Sequence, residues 1–219
     1  VIACPGARLC PFGCYDTTAF AQKMENVIFP NDRHVKVAFT GCSNDCAKVR
    51  MADFGIIGMT EPQYDPNRCV ACEQCIKYCK KRSVDALSLV NGKIVRDTKK
   101  CIGCGVCITY CPTRAWTRSK EHYFRLVILG RTGKRNPRLA EDFIKWCDEE
   151  SILKIAANTY AYIEEYIDPE AVENKEHIGY IVDRTGFEKF KEYIFRDVSL
   201  SEKAEVAQEV YWGGKHYDR

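Results

Sequence analysis

The feature that most constrains this chain is a doubled cysteine pattern. CVACEQCIKYC, carrying Cys69, Cys72, Cys75 and Cys79, and CIGCGVCITYC, carrying Cys101, Cys104, Cys107 and Cys111, repeat one C-x2-C-x2-C-x3-C spacing 32 residues apart. Two-residue gaps let a tight loop wrap three corners of a cubane, and the fourth thiol arrives from the short helix that follows. In such runs the first three cysteines grip one iron–sulfur cluster and the fourth crosses to the other. The expected sets are Cys69, Cys72, Cys75 with Cys111, and Cys101, Cys104, Cys107 with Cys79. Two zinc sites are the rival reading, since paired CxxC motifs also build zinc ribbons. Against zinc stand four cysteines within 11 residues in each run, interleaved with apolar Val70, Ile76, Ile102, Val106 and Ile108 that would keep water off a cluster.

This resembles the bacterial ferredoxin arrangement, with one departure. Pro112 follows the second run, but Lys80 stands at the matching place in the first. The remaining cysteines argue against a disulfide framework, because after Cys111 only Cys147 occurs, whereas secreted scaffolds spread cysteines through small domains. Net charge is +3, too small to point to nucleic acid or a membrane surface. The longest apolar runs, FGIIGM at 54–59 and LVILG at 126–130, fall far short of the roughly 20 residues of a membrane span. The expectation is a cytoplasmic protein with no nucleic-acid partner and no membrane span.

Around the doubled run the pattern is α+β. Asp16 caps a predicted helix whose apolar face is Ala19, Phe20, Met24, Val27 and Ile28. HVKVAF (34–39) and DFGIIG (53–58) read as strands, and EPQYDPN (61–67) as a linker. YFRLVILG (123–130) reads as a buried strand. Beyond it, GRTGKRNPRLAEDFIKWC turns into a predicted helix, with Asn136 as cap and Pro137 in its first position. A further helix is predicted from Ser151, burying Ile152, Ile155, Ala156, Tyr160, Ile163 and Ile167. HIGYIV (177–182) reads as a strand and TGFEKFKEYIF (185–195) as a helix.

A second cysteine set lies upstream. CPGARLC (Cys4, Cys10), thirty-one residues, then CSNDC (Cys42, Cys46) gives a C-x5-C…C-x3-C order. This order resembles the siroheme and 4Fe-4S site of the sulfite and nitrite reductase family. The phrases DTT, GCSNDCAK, MADFGIIG and GRTGKRNPRLAEDF, with a double ferredoxin directly after the C-x3-C half, are similar to the catalytic components of anaerobic sulfite reductases. The likeness covers nearly the whole chain.

The resemblance implies an α+β fold: the C-terminal half of a nitrite/sulfite reductase-type siroheme domain, in segments 1–64 and 119–219, interrupted by a double 4Fe-4S ferredoxin domain at 65–118. It implies three 4Fe-4S clusters and one siroheme. Cys4, Cys10, Cys42 and Cys46 would hold the coupled cluster, and Cys46 would also ligate the siroheme iron. Sulfite would be reduced to sulfide in six one-electron steps, fed by a ferredoxin-like iron–sulfur subunit and an NAD-linked flavoprotein. Siroheme carries eight carboxylates, so Arg8, Lys48, Asn44, Arg50, Arg131, Lys134, Arg135 and Arg138 are candidates to meet them or the substrate. The chain starts at Val1, three residues before a ligand cysteine, so it is expected to lack an N-terminal half that supplies further cations. Two rivals stay open: zinc at Cys4, Cys10, Cys42 and Cys46 in an electron carrier with a scaffold domain, or a siroheme nitrite reductase. Cys14 and Cys147 are expected to be buried thiols. His34, His122, His177 and His216 are expected to be ordinary surface or packing residues.

Overall fold

The computed structural model describes residues 1–132 and 137–210. A short strand β1 (Ile2–Ala3) leads to helix α1 (Thr17–Ile28) and strands β2 (Val37–Thr40) and β3 (Phe54–Met59). An excursion follows, made of β4 (Pro62–Tyr64), α2 (Gln74–Lys81), β5 (Leu87–Val90), β6 (Lys93–Arg96), α3 (Val106–Thr109) and β7 (Trp116–Arg118). The chain returns through β8 (Tyr123–Ile128) and β9 (Glu141–Cys147), then helices α4 (Glu149–Tyr166), α5 (Ile178–Thr185) and α6 (Phe187–Ile194), and ends its described part near β10 (Glu205–Val206).

The main sheet runs β1-β2-β3-β8-β9-β10. Its first three strands are mutually parallel, and β8, β9 and β10 continue it antiparallel. β3 and β8 are direct neighbours, with Met59 opposite Tyr123, so residues 60–122 leave the sheet and re-enter it beside their point of departure. Strand alternation sorts the faces. Phe39, Phe54, Ile56, Leu126 and Ile128 pack with Phe20, Met24, Ile152, Ile155 and Ile163 of α1 and α4, each large side chain contributing about 1.5–3 kcal/mol on burial. Ala38, Ile57 and Val127 face the other way, against Val49, Ala52 and Ala140. Asp16 caps α1 by accepting from the amides of Thr18 and Ala19 (3.0 and 3.1 Å), and Asp148 caps α4 through Ser151.

Four sequence expectations are corrected. Residues 141–147 form β9, not a helix: the chain doubles back from β8 and pairs with it, with Arg131 opposite Arg138, so sheet pairing overrides the Asn-Pro start signal. Asn136 lies outside the described residues, as do Lys134, Arg135 and His216. The segment 178–185 is a helix, not a strand. Its buried residues Ile178, Ile181 and Val182 fall at helical spacing, which a six-residue apolar run leaves ambiguous. The expected linker contributes β4, which pairs with β7, Tyr64 opposite Trp116. On α1 the buried face is Thr17, Phe20, Ala21, Met24 and Ile28, leaving Ala19 and Val27 exposed.

Inside the excursion, β5 and β6 form a hairpin whose turn residues Asn91 and Gly92 both have positive φ (49° and 72°). Asn-Gly is the strongest short hairpin signal. The small core of the excursion is Ile76, Ala86, Leu87, Ile94 and Trp116 with the thiols of Cys75, Cys79 and Cys107.

Candidate metal centres

The two cysteine runs of the excursion share a pair of left-handed backbone positions. φ is positive at Ala71 (53°) and Glu73 (56°) and at the matching Gly103 (65°) and Gly105 (69°), the second and fourth residues after each leading cysteine. Glycine meets that demand freely in the second run. In the first, an alanine and a glutamate accept left-handed geometry at about 1–2 kcal/mol each. Turns of this kind point successive amides into one concavity, the anion-binding nest found at many iron–sulfur sites. Amides also reach the sulfurs: Ala71 to Cys69 (3.4 Å), Ala86 to Cys79 (3.3 Å) and Ala115 to Cys111 (3.2 Å).

The thiols neighbour one another across the runs. Burial raises the Cys75 thiol, the Trp116 indole N–H opposes it, and Cys111 and Cys69 raise it further. Burial also raises Cys79, against the Ala86 amide, with Cys101 adding to it. Cys107 is pushed far up by burial and then by Cys104 and Cys101. Trp116 is 3% exposed, and its Nε1–H has no partner at full hydrogen-bond geometry although it stands beside Cys75. A buried donor directed at a thiol suits a sulfur that carries charge. The two sets differ in exposure. Val70, expected to shield the first run, is 66% exposed and Cys72 is exposed, whereas Val106 and Gly103 of the second run are buried.

Cys4, Cys10, Cys42 and Cys46 come together from two loops. Cys4 extends β1 and donates its amide to Phe39 O (3.0 Å), while the Gly41 amide donates to Cys4 Sγ (3.1 Å). At Gly41 a Cβ would stand 3.1 and 3.2 Å from the Cα atoms of Gly6 and Gly13, so three glycines let the loops meet backbone to backbone. Burial raises the Cys42 thiol, the Asn44 amide opposes it, and Cys10, Cys46 and Cys4 raise it further. Cys42 is buried, Cys4 and Cys10 are half-buried, and Cys46 is exposed. The donor set is four thiols on loops that meet at three glycines, with Cys46 the exposed residue of the four, and its chemistry fits an iron–sulfur cluster. Among the described residues no three His, Cys, Asp or Glu converge on a point close enough for a single metal ion.

The basic candidates divide. Arg8 and Lys48 are exposed beside this loop pair, and among the described residues neither makes an ion pair. Arg50 binds Ala140 O and Asp142. Arg131 and Arg138 are buried and both bind Asp183, at 2.7 Å each. Asn44 accepts from Arg82 of the excursion. Cys14 and Cys147 are buried thiols, pushed up by burial to about 11 and about 12. His177 contacts buried Asp53 (3.2 Å). Sequence reasoning missed Arg82 and Trp116; only the position of Trp116 shortly after a run's last thiol hinted at a role.

A family model described as the nitrite and sulphite reductase 4Fe-4S domain matches residues 1–203. The chain belongs to this family. It is 39% identical over 212 residues to the C component of the anaerobic sulfite reductase of Salmonella typhimurium, covering 97% of this chain and 62% of that protein. The chain therefore spans about 62% of the length of the curated relatives it matches first. A shorter stretch of 64 residues, 26% of this chain and 11% of the other, is 34% identical to the assimilatory ferredoxin-dependent nitrite reductase of Haloferax mediterranei. The fold is similar to that of dissimilatory sulfite reductase I, with a TM-score of 0.67 at 18% identity over 99% of this chain and 58% of that one. Family membership supports iron–sulfur and siroheme chemistry in general. Among the described residues no helix is long and apolar enough to cross a membrane.

Proposed function

We propose that this chain is the C-terminal, cofactor-holding part of the catalytic subunit of a siroheme sulfite reductase, reducing sulfite to sulfide by six electrons. The observation that carries the reading is the meeting of the loop of Cys4 and Cys10 with the loop of Cys42 and Cys46 at Gly6, Gly13 and Gly41, with Cys46 exposed. When bound, siroheme would supply the iron at which the oxyanion binds, and the 4Fe-4S cluster held by Cys4, Cys10, Cys42 and Cys46 would relay electrons from the donor subunit. The chain's own residues do the rest. Cys4, Cys10 and Cys42 anchor the cluster, and Cys46 presents the shared sulfur. Arg8 and Lys48 leave unpaired charge for siroheme carboxylates or for sulfite. Arg50, Arg131 and Arg138 hold the surrounding backbone through Asp142 and Asp183, and act on the cofactor by shaping its wall.

Residues 65–118 are the inserted ferredoxin domain in this reading, between reductase segments 1–64 and 119–219. Cys69, Cys72, Cys75 and Cys111 hold its outer cluster, and Cys101, Cys104, Cys107 and Cys79 the inner one. That stretch carries eleven Lys and Arg against four Asp and Glu, a net +7 in a chain of net +3, which suits an acidic electron-donating iron–sulfur subunit, itself reduced by an NAD-linked flavoprotein. A reducing cytoplasm, where thiols stay available to clusters, is part of this reading. Nitrite is the second reading, favoured by the likeness to a nitrite reductase.

The test uses the full-length polypeptide. Iron content of about 13 per chain with siroheme absorption, and sulfide formed from sulfite with a reduced viologen, support the reading. About 8 irons and no siroheme leave an electron carrier, and ammonia from nitrite with no sulfide from sulfite assigns the other substrate.

A further inference from the structure

The excursion meets the loops of the first cysteine set through few side chains, and Arg82 makes several of these contacts. It ends α2, its amide donating to Tyr78 O and Cys79 O (3.3 and 3.1 Å). From there its Nη1 donates to Asn44 Oδ1 inside the C-x3-C loop. Its guanidinium lies 6.0 Å from the centre of the Phe12 ring, in the loop between Cys10 and Cys14. Closing a helix C-terminus does not explain these contacts, because Lys80 and Lys81 already supply positive charge there.

Three further observations place the joint at the same spot. Arg118 donates to Pro11 O (2.9 Å) from the excursion's last strand. The Cys14 amide donates to Gly41 O (2.7 Å), which joins the 10–14 loop to the start of the 42–46 loop. Tyr78 and Tyr110 stack at 3.6 Å and 8°, and Phe12 lies 6.2 Å from Tyr110. The set containing Cys79, whose carbonyl accepts from the Arg82 amide, thus meets the first site through Arg82.

We propose that Arg82 is a positioning residue of this joint. It seats the Cys79, Cys101, Cys104, Cys107 set against the 10–14 and 42–46 loops, and its fixed positive charge favours the reduced state of that set's cluster over the cluster of Cys69, Cys72, Cys75 and Cys111. The inference rests on the function proposed above and names where the electron crosses. With clusters bound, the chemistry they would supply here is one-electron transfer alone, from the set of Cys79, Cys101, Cys104 and Cys107 to that of Cys4, Cys10, Cys42 and Cys46, with no bond or proton moved. A cation beside the inner cluster holds electrons next to the site that consumes them. The guanidinium fork also braces two loops at once, which an ammonium does not.

The test is a reductive titration of cluster-loaded full-length protein followed by electron paramagnetic resonance, with flash-initiated transfer into the first site as a second readout. Arg82→Gln is expected to shift the reduction equilibrium of one ferredoxin-type cluster about tenfold toward the oxidised form, or ~59 mV for one electron, and the other by less than about twofold. Arg82→Lys is expected to keep both equilibria and slow transfer, and Asn44→Ala to do the same without any change of charge. Arg82→Gln that moves both clusters equally or neither, or variants that all transfer at the parent rate, overturn the proposal. Absence of iron from the Cys4, Cys10, Cys42, Cys46 set would instead sink the function proposed above, and the asymmetry between the two ferredoxin-type clusters would still be readable.

Discussion

Asp183→Ala removes one carboxylate from two buried guanidiniums. Its Oδ2 accepts from Arg131 Nη1 and its Oδ1 from Arg138 Nη1, each at 2.7 Å. Both arginine side chains are 2% exposed and Asp183 is 38% exposed. Arg138 also binds Leu129 O and Gly179 O, both at 3.0 Å, and Arg131 lies 4.2 Å from the centre of the Tyr180 ring, so α5 is pinned to the end of β8 through this cluster. Burial pulls the Arg138 guanidinium down and Asp183 pushes it back up. Removing one partner of a buried pair costs about 3–5 kcal/mol. Water reaches the half-exposed carboxylate, which reduces the loss to about 2–3 kcal/mol. At roughly 2–4 °C per kcal/mol for a chain of this size, the melting temperature should fall by about 4–12 °C. Thermal unfolding followed by far-ultraviolet circular dichroism measures it, and siroheme content of the full-length variant is the second readout. A large fall in stability with siroheme retained in the surviving folded protein is the expected outcome. A melting temperature within about 2 °C of the parent, with siroheme lost, would refute the structural assignment and return these arginines to the cofactor.

Three further outcomes are expected. Gly41→Val forces a side chain against the Cα atoms of Gly6 and Gly13 and toward Cys4 Sγ, so iron bound by the first cysteine set should fall to a small fraction while about 8 irons remain in the ferredoxin runs, read by iron analysis. Trp116→Phe removes the indole N–H beside Cys75, which should make the cluster of Cys69, Cys72, Cys75 and Cys111 harder to reduce in a potentiometric titration and leave the other cluster unmoved. Glu61 joins Lys203 and Arg96, and the Lys203 hydrogen bond in particular holds its carboxyl below 4.5. A lowered carboxyl stabilises the fold fully above its unfolded value and ceases to do so as pH falls through the folded one. Acid unfolding below about pH 4.5, followed by tryptophan fluorescence, should therefore begin at higher pH in Glu61→Gln.

Much of the reductase fold was legible because its signals are local. Asp16 and the apolar spacing of Phe20, Met24 and Ile28 specify α1, and the largely apolar stretches at Phe54–Met59 and Tyr123–Ile128, the second broken only by Arg125, specify paired central strands. What stayed hidden depends on partners distant in sequence. Residues 141–147 carry a helix-start signal upstream, yet they are held as a strand by β8 and by the reach of Asp142 to Arg50 and Arg125. Ile178, Ile181 and Val182 fit either period over so short a run, and α4 and α6 decide the matter by burying them. At the candidate site the cysteine spacing marked out the thiol sets, whereas composition alone could not separate Arg8 and Lys48, exposed beside the loops, from Arg131 and Arg138, spent on Asp183. Arg82 has no motif, because its role comes from the way residues 60–122 fold back on the 42–46 loop.

The most direct test of the account is Mössbauer spectroscopy of the full-length, siroheme-loaded protein, with and without Cys46→Ser. The account predicts magnetic exchange between the siroheme iron and one cubane in the parent, lost in the variant while the two ferredoxin-type clusters are unchanged. Siroheme iron magnetically isolated from every cluster in the parent, or exchange that survives loss of the Cys46 thiol, would contradict it.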